Sequence, residues 1–245
     1  MAEQKPRFTE TALYHIYNRG VEKRKIFLDD QDYLRFIHSL FEFNDVKPAV
    51  PTNQRFEISH PSKAKEIHLS QSLEVKPLKR REKLVEILIF TLMPNHFHLL
   101  IQQVRENGVV KFMQKIGTGF TMYFNQRYNR VGSLFQGTYK ARVVARDTHF
   151  IHIPYYLHAN PLDLKFPEWR KKEIGNCKRA MNFLENYRWS SFRDYIGIKS
   201  FPSVINKGLL TDFWGGPENY RKETKKWLKE MDSENLSETT KTLEL

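Results

Sequence analysis

Hydrophobic and polar residues alternate along several short segments of the chain. ALYHIYNRG (12–20) alternates and ends in Asn-Arg-Gly, which predicts a strand closed by a turn. The apolar runs KLVEILIFTLM (83–93) and HFHLLIQQV (96–104) are separated only by Pro-Asn, so they predict a hairpin. SLFQGTYKARVVA (133–145) predicts a fourth strand, with a bulge near Gly137.

Two other segments, 29–45 and 108–130, repeat apolar residues mostly every three or four positions, the spacing of amphipathic helices. A third helix is predicted over 146–164, starting near Asp147 or Thr148. The third helix should be stopped by Pro161, and Pro154 inside it should shift its start or kink it.

These elements follow one another as β-α-β-β-α-β, which predicts an α+β protein with a ferredoxin-like core: an antiparallel sheet with helices on one face. We expect this domain over 8–165, with an insertion at about 46–82, where proline, serine and lysine break the periodicity. A C-terminal helical extension over 166–232 and a disordered tail over 233–245 are predicted to follow.

The charge balance indicates a nucleic-acid partner. Forty Lys and Arg residues against 28 Asp and Glu residues leave a formal charge of +12. The single cysteine, Cys177, can form neither a disulfide framework nor a thiolate zinc site. No apolar run is long enough for a membrane span, and the first 20 residues lack a secretory hydrophobic region, so we expect a cytoplasmic protein.

Two histidines, His96 and His98, stand on either side of Phe97 in an otherwise apolar strand. Residues two apart on a strand face the same side, so the imidazoles should project together while Phe97 packs in the core. Three interpretations are open: ordinary hydrogen-bonded histidines, a zinc site, or a metal site that acts on a phosphate.

Tyr156 and Asn160, in PYYLHANP, are four residues apart and should share one helix face. The Asn160 amide offers a carbonyl oxygen to a metal. The Tyr156 phenol is a weak nucleophile unless something activates it. Without the histidines, a packed core tyrosine would be the better interpretation.

The motifs MPNHFHLL, GSLFQGTYKARVV, YYLHANP and YRWSSFRDYIG, in this order and spacing, resemble those of single-tyrosine HUH transposases, in particular the REP-associated tyrosine transposases. The resemblance covers about 12–45 and 83–197. It implies that His96 and His98 bind Mg²⁺ or Mn²⁺, that Asn160 completes the metal site, and that Tyr156 is the nucleophile. Tyr155 is the competing candidate, but it lies about 100° around the helix and away from the face of Asn160.

The resemblance further implies cleavage and rejoining of single-stranded DNA beside hairpins, through a 5′-phosphotyrosine intermediate, by a prokaryotic, chromosome-associated protein. A monomer and a homodimer are both open. The candidate DNA contacts are Arg19, Arg24, Lys25, Gln136, Lys140, Arg142 and Arg146. For Gln136, a hydrogen bond within the turn is an equal alternative.

Two rival functions follow from the same residues. The first is a non-catalytic nucleic-acid-binding protein, such as a domesticated transposase that has lost activity. The second is a zinc hydrolase built on His96 and His98, which lacks an obvious third ligand at nearby spacing and an evident general base. A metal-dependent DNA strand transferase is the function that the sequence favours.

Overall fold

The computed structural model describes residues 6–10, 12–48, 81–144, 148–171 and 173–230. Most of the predicted insertion lies outside the described residues, as do the predicted tail and Arg146.

Four strands form one antiparallel sheet in the order β2-β3-β1-β4. Their bounds are β1 Leu13–Arg19, β2 Val85–Met93, β3 His96–Gln103 and β4 Lys140–Val144. The two-residue turn between β2 and β3 is the predicted Pro-Asn turn. This strand order, with a helix after β1 and another after β3, is the ferredoxin-like arrangement, so the predicted fold class is confirmed.

Two helices, α1 (Asp30–Glu42) and α2 (Gly108–Arg127), cover one face of the sheet. The predicted N-cap of α1 is present, because the Asp29 carboxylate accepts the first free backbone N–H groups of the helix. Phe36 of α1 contacts Phe97 of β3 at 4.9 Å between ring centroids, so the residue between the two histidines packs in the core, as expected.

A third helix, α3 (Thr148–Ala159), packs on the opposite face of the sheet. The Thr91 hydroxyl of β2 donates to the Leu157 carbonyl of α3 at 2.9 Å, and Thr91 is paired with His98. The two helices of the ferredoxin-like core share one face, as expected, and α3 adds a helix on the other face. Pro154 lies inside α3, and a 3₁₀ turn over Asn160–Leu164 follows the helix.

The fourth strand is shorter than the segment 133–145 that alternation predicted. Residues 133–139 form an irregular loop, in which Gly137 adopts a φ of +72° that favours glycine. The loop is tied to the end of β1, because the Gln136 N–H donates to the Arg19 carbonyl at 2.8 Å. Side chains of the loop are thereby held beside β1 at the edge of the sheet.

The predicted C-terminal helical region contains helices that follow a 3₁₀ turn over Pro167–Lys171: α4 Cys177–Asn186, α5 Phe192–Tyr195, α6 Gly208–Trp214 and α7 Pro217–Glu230. The segment before α5 bonds to the outer edge of β2. The Leu92 N–H donates to the Trp189 carbonyl at 2.9 Å, and the Ser191 N–H donates to the Phe90 carbonyl at 3.0 Å. The edge of β2 is therefore covered by the chain's own C-terminal half.

Within the part of the chain that the structure describes, no helix is both long and apolar enough to cross a bilayer.

Candidate active site

His96 and His98 project from the same face of β3, as the period of a strand requires. Their ring centroids are 5.0 Å apart, and the ring planes are nearly perpendicular. On the neighbouring strand, Arg19 pairs with His96 and Tyr17 pairs with His98. The face that carries the imidazoles is the one that α3 covers.

A third histidine, His15 of β1, holds the His98 ring. His15 Nε2 lies 2.8 Å from His98 Nδ1, and the two rings are stacked with centroids 5.1 Å apart. His98 is only 2% exposed, and its Nε2 atom has no hydrogen-bond partner among the described residues. A buried polar atom without a partner is energetically costly, so His98 Nε2 is a candidate ligand atom.

His96 is held in a similar way by the turn that precedes it. Its Nδ1 donates to the Asn95 side-chain oxygen at 2.7 Å, which leaves Nε2 as the nitrogen with a lone pair. The Asn95 amide in turn donates to the Lys23 carbonyl at 3.3 Å. Both histidines therefore have Nδ1 occupied by a neighbour and Nε2 available to a ligand.

Both imidazoles are neutral at pH 7, the form that can bind a metal ion. Burial lowers the pKa of His96 to about 4; the Asp163 carboxylate opposes this shift, whereas the Arg170 and Arg19 guanidiniums add to it. Burial also lowers the pKa of His98 well below its ordinary value, assisted by His96, His15 and Arg170.

Tyr156 lies on α3 with its side chain buried, 1% exposed. Its hydroxyl accepts a hydrogen bond from Arg170 Nη1 at 3.1 Å. The neighbouring Tyr155 instead stacks on Tyr220, with ring centroids 5.3 Å apart, and burial raises the pKa of its phenol. The two tyrosines therefore differ as the helical geometry predicts: Tyr155 packs in the C-terminal core, and Tyr156 points to a cationic group.

Asn160 lies one helical turn after Tyr156, and both ends of its amide are oriented. Nδ2 donates to the Tyr156 carbonyl at 2.8 Å, while Oδ1 accepts from Arg170 Nη2 at 3.2 Å. The side-chain oxygen is thus turned toward the same guanidinium that contacts the Tyr156 hydroxyl.

Arg170, in the 3₁₀ turn over Pro167–Lys171, is the common neighbour of the predicted site residues. Its guanidinium contacts Tyr156 and Asn160, and its positive charge lowers the pKa of both His96 and His98. Asp163 pairs with it through two hydrogen bonds, Nε to Oδ1 at 2.8 Å and Nη2 to Oδ2 at 2.6 Å. The arginine therefore links the histidine pair to the tyrosine and the asparagine.

The side chains present fit a divalent ion such as Mg²⁺ or Mn²⁺. Among the described residues there is no group of three or more His, Cys, Asp or Glu side chains placed to hold a metal. The atoms available as metal ligands are two neutral imidazole nitrogens and the Asn160 amide oxygen. One of these nitrogens is His98 Nε2, which has no hydrogen-bond partner among the described residues. Amide oxygen together with imidazole suits Mn²⁺ and, with added water or phosphate oxygens, Mg²⁺.

Three of the predicted DNA contacts lie beside the histidines. Arg19 Nε donates to the Gln136 side-chain oxygen at 2.5 Å, a bond to β1 and not one within the turn, and the Gln136 side chain is exposed. Lys140 is exposed, with its ammonium 5.9 Å from the centre of the Tyr17 ring.

The other predicted contacts are less close to the site. Arg142 is half-buried, and its charge acts on His15. Arg24 pairs with Glu22 at 3.5 Å, and Lys25 is exposed in the loop that follows. Arg146 lies outside the described residues.

Sequence reasoning missed four residues of this site: His15, Asn95, Asp163 and Arg170. Strand alternation could have placed His15 on the same face of β1 as Tyr17, but only the pairing of β1 with β3 brings it to His98. Arg170 lies 14 residues after Tyr156, in a different helical segment, and no spacing rule connects the two.

Comparison with known proteins gives a family match over part of the chain. Residues 64–160 match the family model described as "Transposase IS200 like". No curated protein sequence matches the chain. A solved structure described as a REP-associated tyrosine transposase bound to a REP hairpin has a TM-score of 0.48 and 11% identity, over 84% of this chain and 92% of that one.

The segment that matches the family model contains His96, His98, Tyr156 and Asn160. The predicted family resemblance is therefore confirmed: residues 64–160 of the chain are similar to the IS200-like transposases.

Proposed function

We propose that the protein cleaves single-stranded DNA beside a hairpin and transfers the cut strand, with Tyr156 as the nucleophile. The family match supports a transposase-like, DNA-binding role. The observation that carries the finer proposal is the position of Arg170. Its guanidinium contacts the Tyr156 hydroxyl and Asn160, and its charge acts on both His96 and His98.

A divalent ion belongs to this proposal. His96 Nε2, His98 Nε2 and Asn160 Oδ1 would hold Mg²⁺ or Mn²⁺, with both imidazoles neutral at pH 7. When bound, such an ion polarises the phosphodiester and makes the phosphorus easier to attack.

The proposed reaction conserves the energy of the broken bond. The Tyr156 oxygen forms a bond to phosphorus, the P–O3′ bond breaks, and the proton lost by the phenol ends on the 3′-oxygen. The product is a 5′-phosphotyrosine and a free 3′-OH. Attack by another strand's 3′-OH reverses the step and releases Tyr156, so rejoining requires no nucleotide cofactor.

The proposed DNA-binding surface lies beside His96 and His98. Arg19, Gln136 and Lys140 lie on adjoining parts of β1, the loop 133–139 and β4. Cationic side chains at this position attract the DNA backbone, and the net charge of +12 adds a long-range contribution. Hairpin and single-stranded DNA remain the proposed partners.

The test is formation of a covalent complex. Purified protein is incubated with labelled hairpin DNA that carries single-stranded flanks, with Mn²⁺ or Mg²⁺ or with EDTA, and adducts that resist SDS are separated on a gel. We expect an adduct that needs the metal ion and is lost in Tyr156→Phe. Tyr155→Phe is the matched control, because it removes the same oxygen from the adjacent residue and should still form the adduct.

One observation favours the alternative, a DNA-binding protein without catalysis. The Tyr156 side chain is almost fully buried, and a nucleophile must reach its substrate. If wild-type protein binds hairpin DNA in a salt-dependent manner but forms no adduct with either metal ion, this alternative replaces the proposed enzyme.

A further inference from the structure

We propose that Arg170 binds the scissile phosphate and is a catalytic residue of this site. The inference rests on the proposed function, because it assumes that the Tyr156 oxygen attacks phosphorus. It adds a role for a residue that lies outside the segment matching the family model, which ends at position 160.

The first argument is the distance between donor and nucleophile. Arg170 Nη1 lies 3.1 Å from the Tyr156 hydroxyl oxygen. An attacking oxygen must come within about 3–3.5 Å of the phosphorus, with its orbitals aligned. The non-bridging oxygens of that phosphate then lie within hydrogen-bond reach of the same guanidinium. A phosphate attacked by Tyr156 in this geometry is brought into contact with Arg170.

The second argument is the hydrogen-bond capacity of Arg170. A guanidinium has five N–H donors in a fixed fork. The described residues take four of them: Nε and one Nη2 donor go to Asp163, the second Nη2 donor goes to Asn160, and one Nη1 donor goes to Tyr156. The remaining donor is on Nη1, the nitrogen that already contacts the nucleophile.

The third argument is that the guanidinium is held in place before substrate binds. Asp163 grips it through two parallel hydrogen bonds and also accepts from the Trp169 indole N–H at 2.6 Å. The guanidinium lies 4.8 Å from the centre of the Trp169 ring. A donor fixed in advance stabilises developing charge without the cost of reorientation.

The fourth argument is charge. A guanidinium is not deprotonated in proteins, and that of Arg170 pairs with the Asp163 carboxylate at 2.6 Å, so Arg170 is a cation in this site. The phosphodiester is an anion, and negative charge on its oxygens is redistributed as the Tyr156 O–P bond forms and the P–O3′ bond breaks. A fixed cation at the non-bridging oxygens stabilises this transition state.

The experiment compares Arg170→Gln with wild-type protein on two versions of one DNA strand. The cleaved linkage is first mapped with wild-type protein, and a strand is then made with a neutral methylphosphonate at that linkage alone. Arg188→Gln is the matched control, since it also removes an arginine charge from the C-terminal half, where Arg188 makes an exposed pair with Asp30 at 3.3 Å. Arg170→Lys retains the charge but cannot reproduce the two-bonded fork with Asp163.

On ordinary DNA, we expect Arg170→Gln to slow adduct formation by about 10²–10³-fold, the effect of losing one such donor. Arg170→Lys should lie in between, and Arg188→Gln should match wild-type protein. On the methylphosphonate strand, the difference between Arg170→Gln and wild-type protein should largely disappear, because the charge that Arg170 recognises is gone. A variant that had merely lost its fold would be slow on both strands.

A second readout needs neither metal nor cleavage. In EDTA, and in a Tyr156→Phe background, fluorescence anisotropy should show that Arg170→Gln weakens binding of the ordinary strand but not of the methylphosphonate strand. Equal rates for Arg170→Gln and wild-type protein on ordinary DNA, or the same loss on both strands, would overturn the role of Arg170 alone. Absence of any wild-type adduct would overturn the proposed function and the role of Arg170 together.

Discussion

The contact between His15 and His98 provides the most direct test of how this site is built. In His15→Phe, an aromatic ring remains but the partner of His98 Nδ1, now 2.8 Å away, is lost. The His98 ring would then be free to rotate or to place its proton on Nε2, the nitrogen expected to bind metal. Loss of a hydrogen bond that orients a metal-binding histidine typically lowers metal affinity 10–100-fold, which corresponds to about 1.4–2.7 kcal/mol.

The same substitution also leaves a buried nitrogen without a partner, which we expect to lower the free energy of unfolding by about 1–3 kcal/mol. Stability and metal binding must therefore be measured separately. Mn²⁺ affinity is measured by titration followed by electron paramagnetic resonance, in the absence of DNA, and stability is measured by urea unfolding in EDTA.

Two further variants separate a local effect from a general one. His15→Gln can still hydrogen-bond to His98 Nδ1 and should recover part of the Mn²⁺ affinity. Tyr195→Phe removes a buried hydrogen bond to the Leu88 carbonyl at 3.0 Å, a contact that involves neither His96 nor His98, and should lower stability without changing Mn²⁺ affinity. The reasoning is refuted if His15→Phe binds Mn²⁺ as tightly as wild-type protein does.

Two remaining predictions concern acid stability and DNA binding. Burial lowers the pKa of His158 to about 3, so as the pH falls the unfolded chain binds this proton before the folded protein does. The contribution of His158 to stability is therefore fully present above pH 6.5 and decreases as the pH drops toward 3. At pH 5, His158 alone should lower the free energy of unfolding by about 2 kcal/mol relative to pH 7. Between pH 7 and 5, urea unfolding should therefore show a smaller decrease of this free energy in His158→Gln than in wild-type protein. Lys140→Gln should reduce the slope of log affinity for hairpin DNA against log salt by about 1, measured by anisotropy; an unchanged slope would exclude a phosphate contact.

Much of the core could be predicted because its local patterns agree with its tertiary packing. Alternation placed Phe97 in the core and His96 and His98 together on the other face, and the structure has them so. Helical spacing placed Tyr156 and Asn160 on one face, and they are joined by a hydrogen bond of 2.8 Å. Their roles in metal binding and catalysis remain proposals.

Local pattern failed where tertiary contacts compete with it. The segment 133–145 alternates as a strand does, yet only Lys140–Val144 pairs with β1. The loop before it turns at Gly137, where φ is +72°, and bonds to the end of β1 instead. Alternation describes which residues can face a core, whereas pairing depends on an available neighbouring strand.

By itself, the sequence determined the order of strands and helices, the family resemblance and which residues two or four positions apart share a face. These features depend on the fixed periods of the strand and the helix, so short segments suffice to reveal them. Only the tertiary structure brought His15 to His98, across 83 residues, and Arg170 to Tyr156. Such contacts arise from strand pairing and from the packing of the C-terminal half on the second face of the sheet, and no local period encodes either.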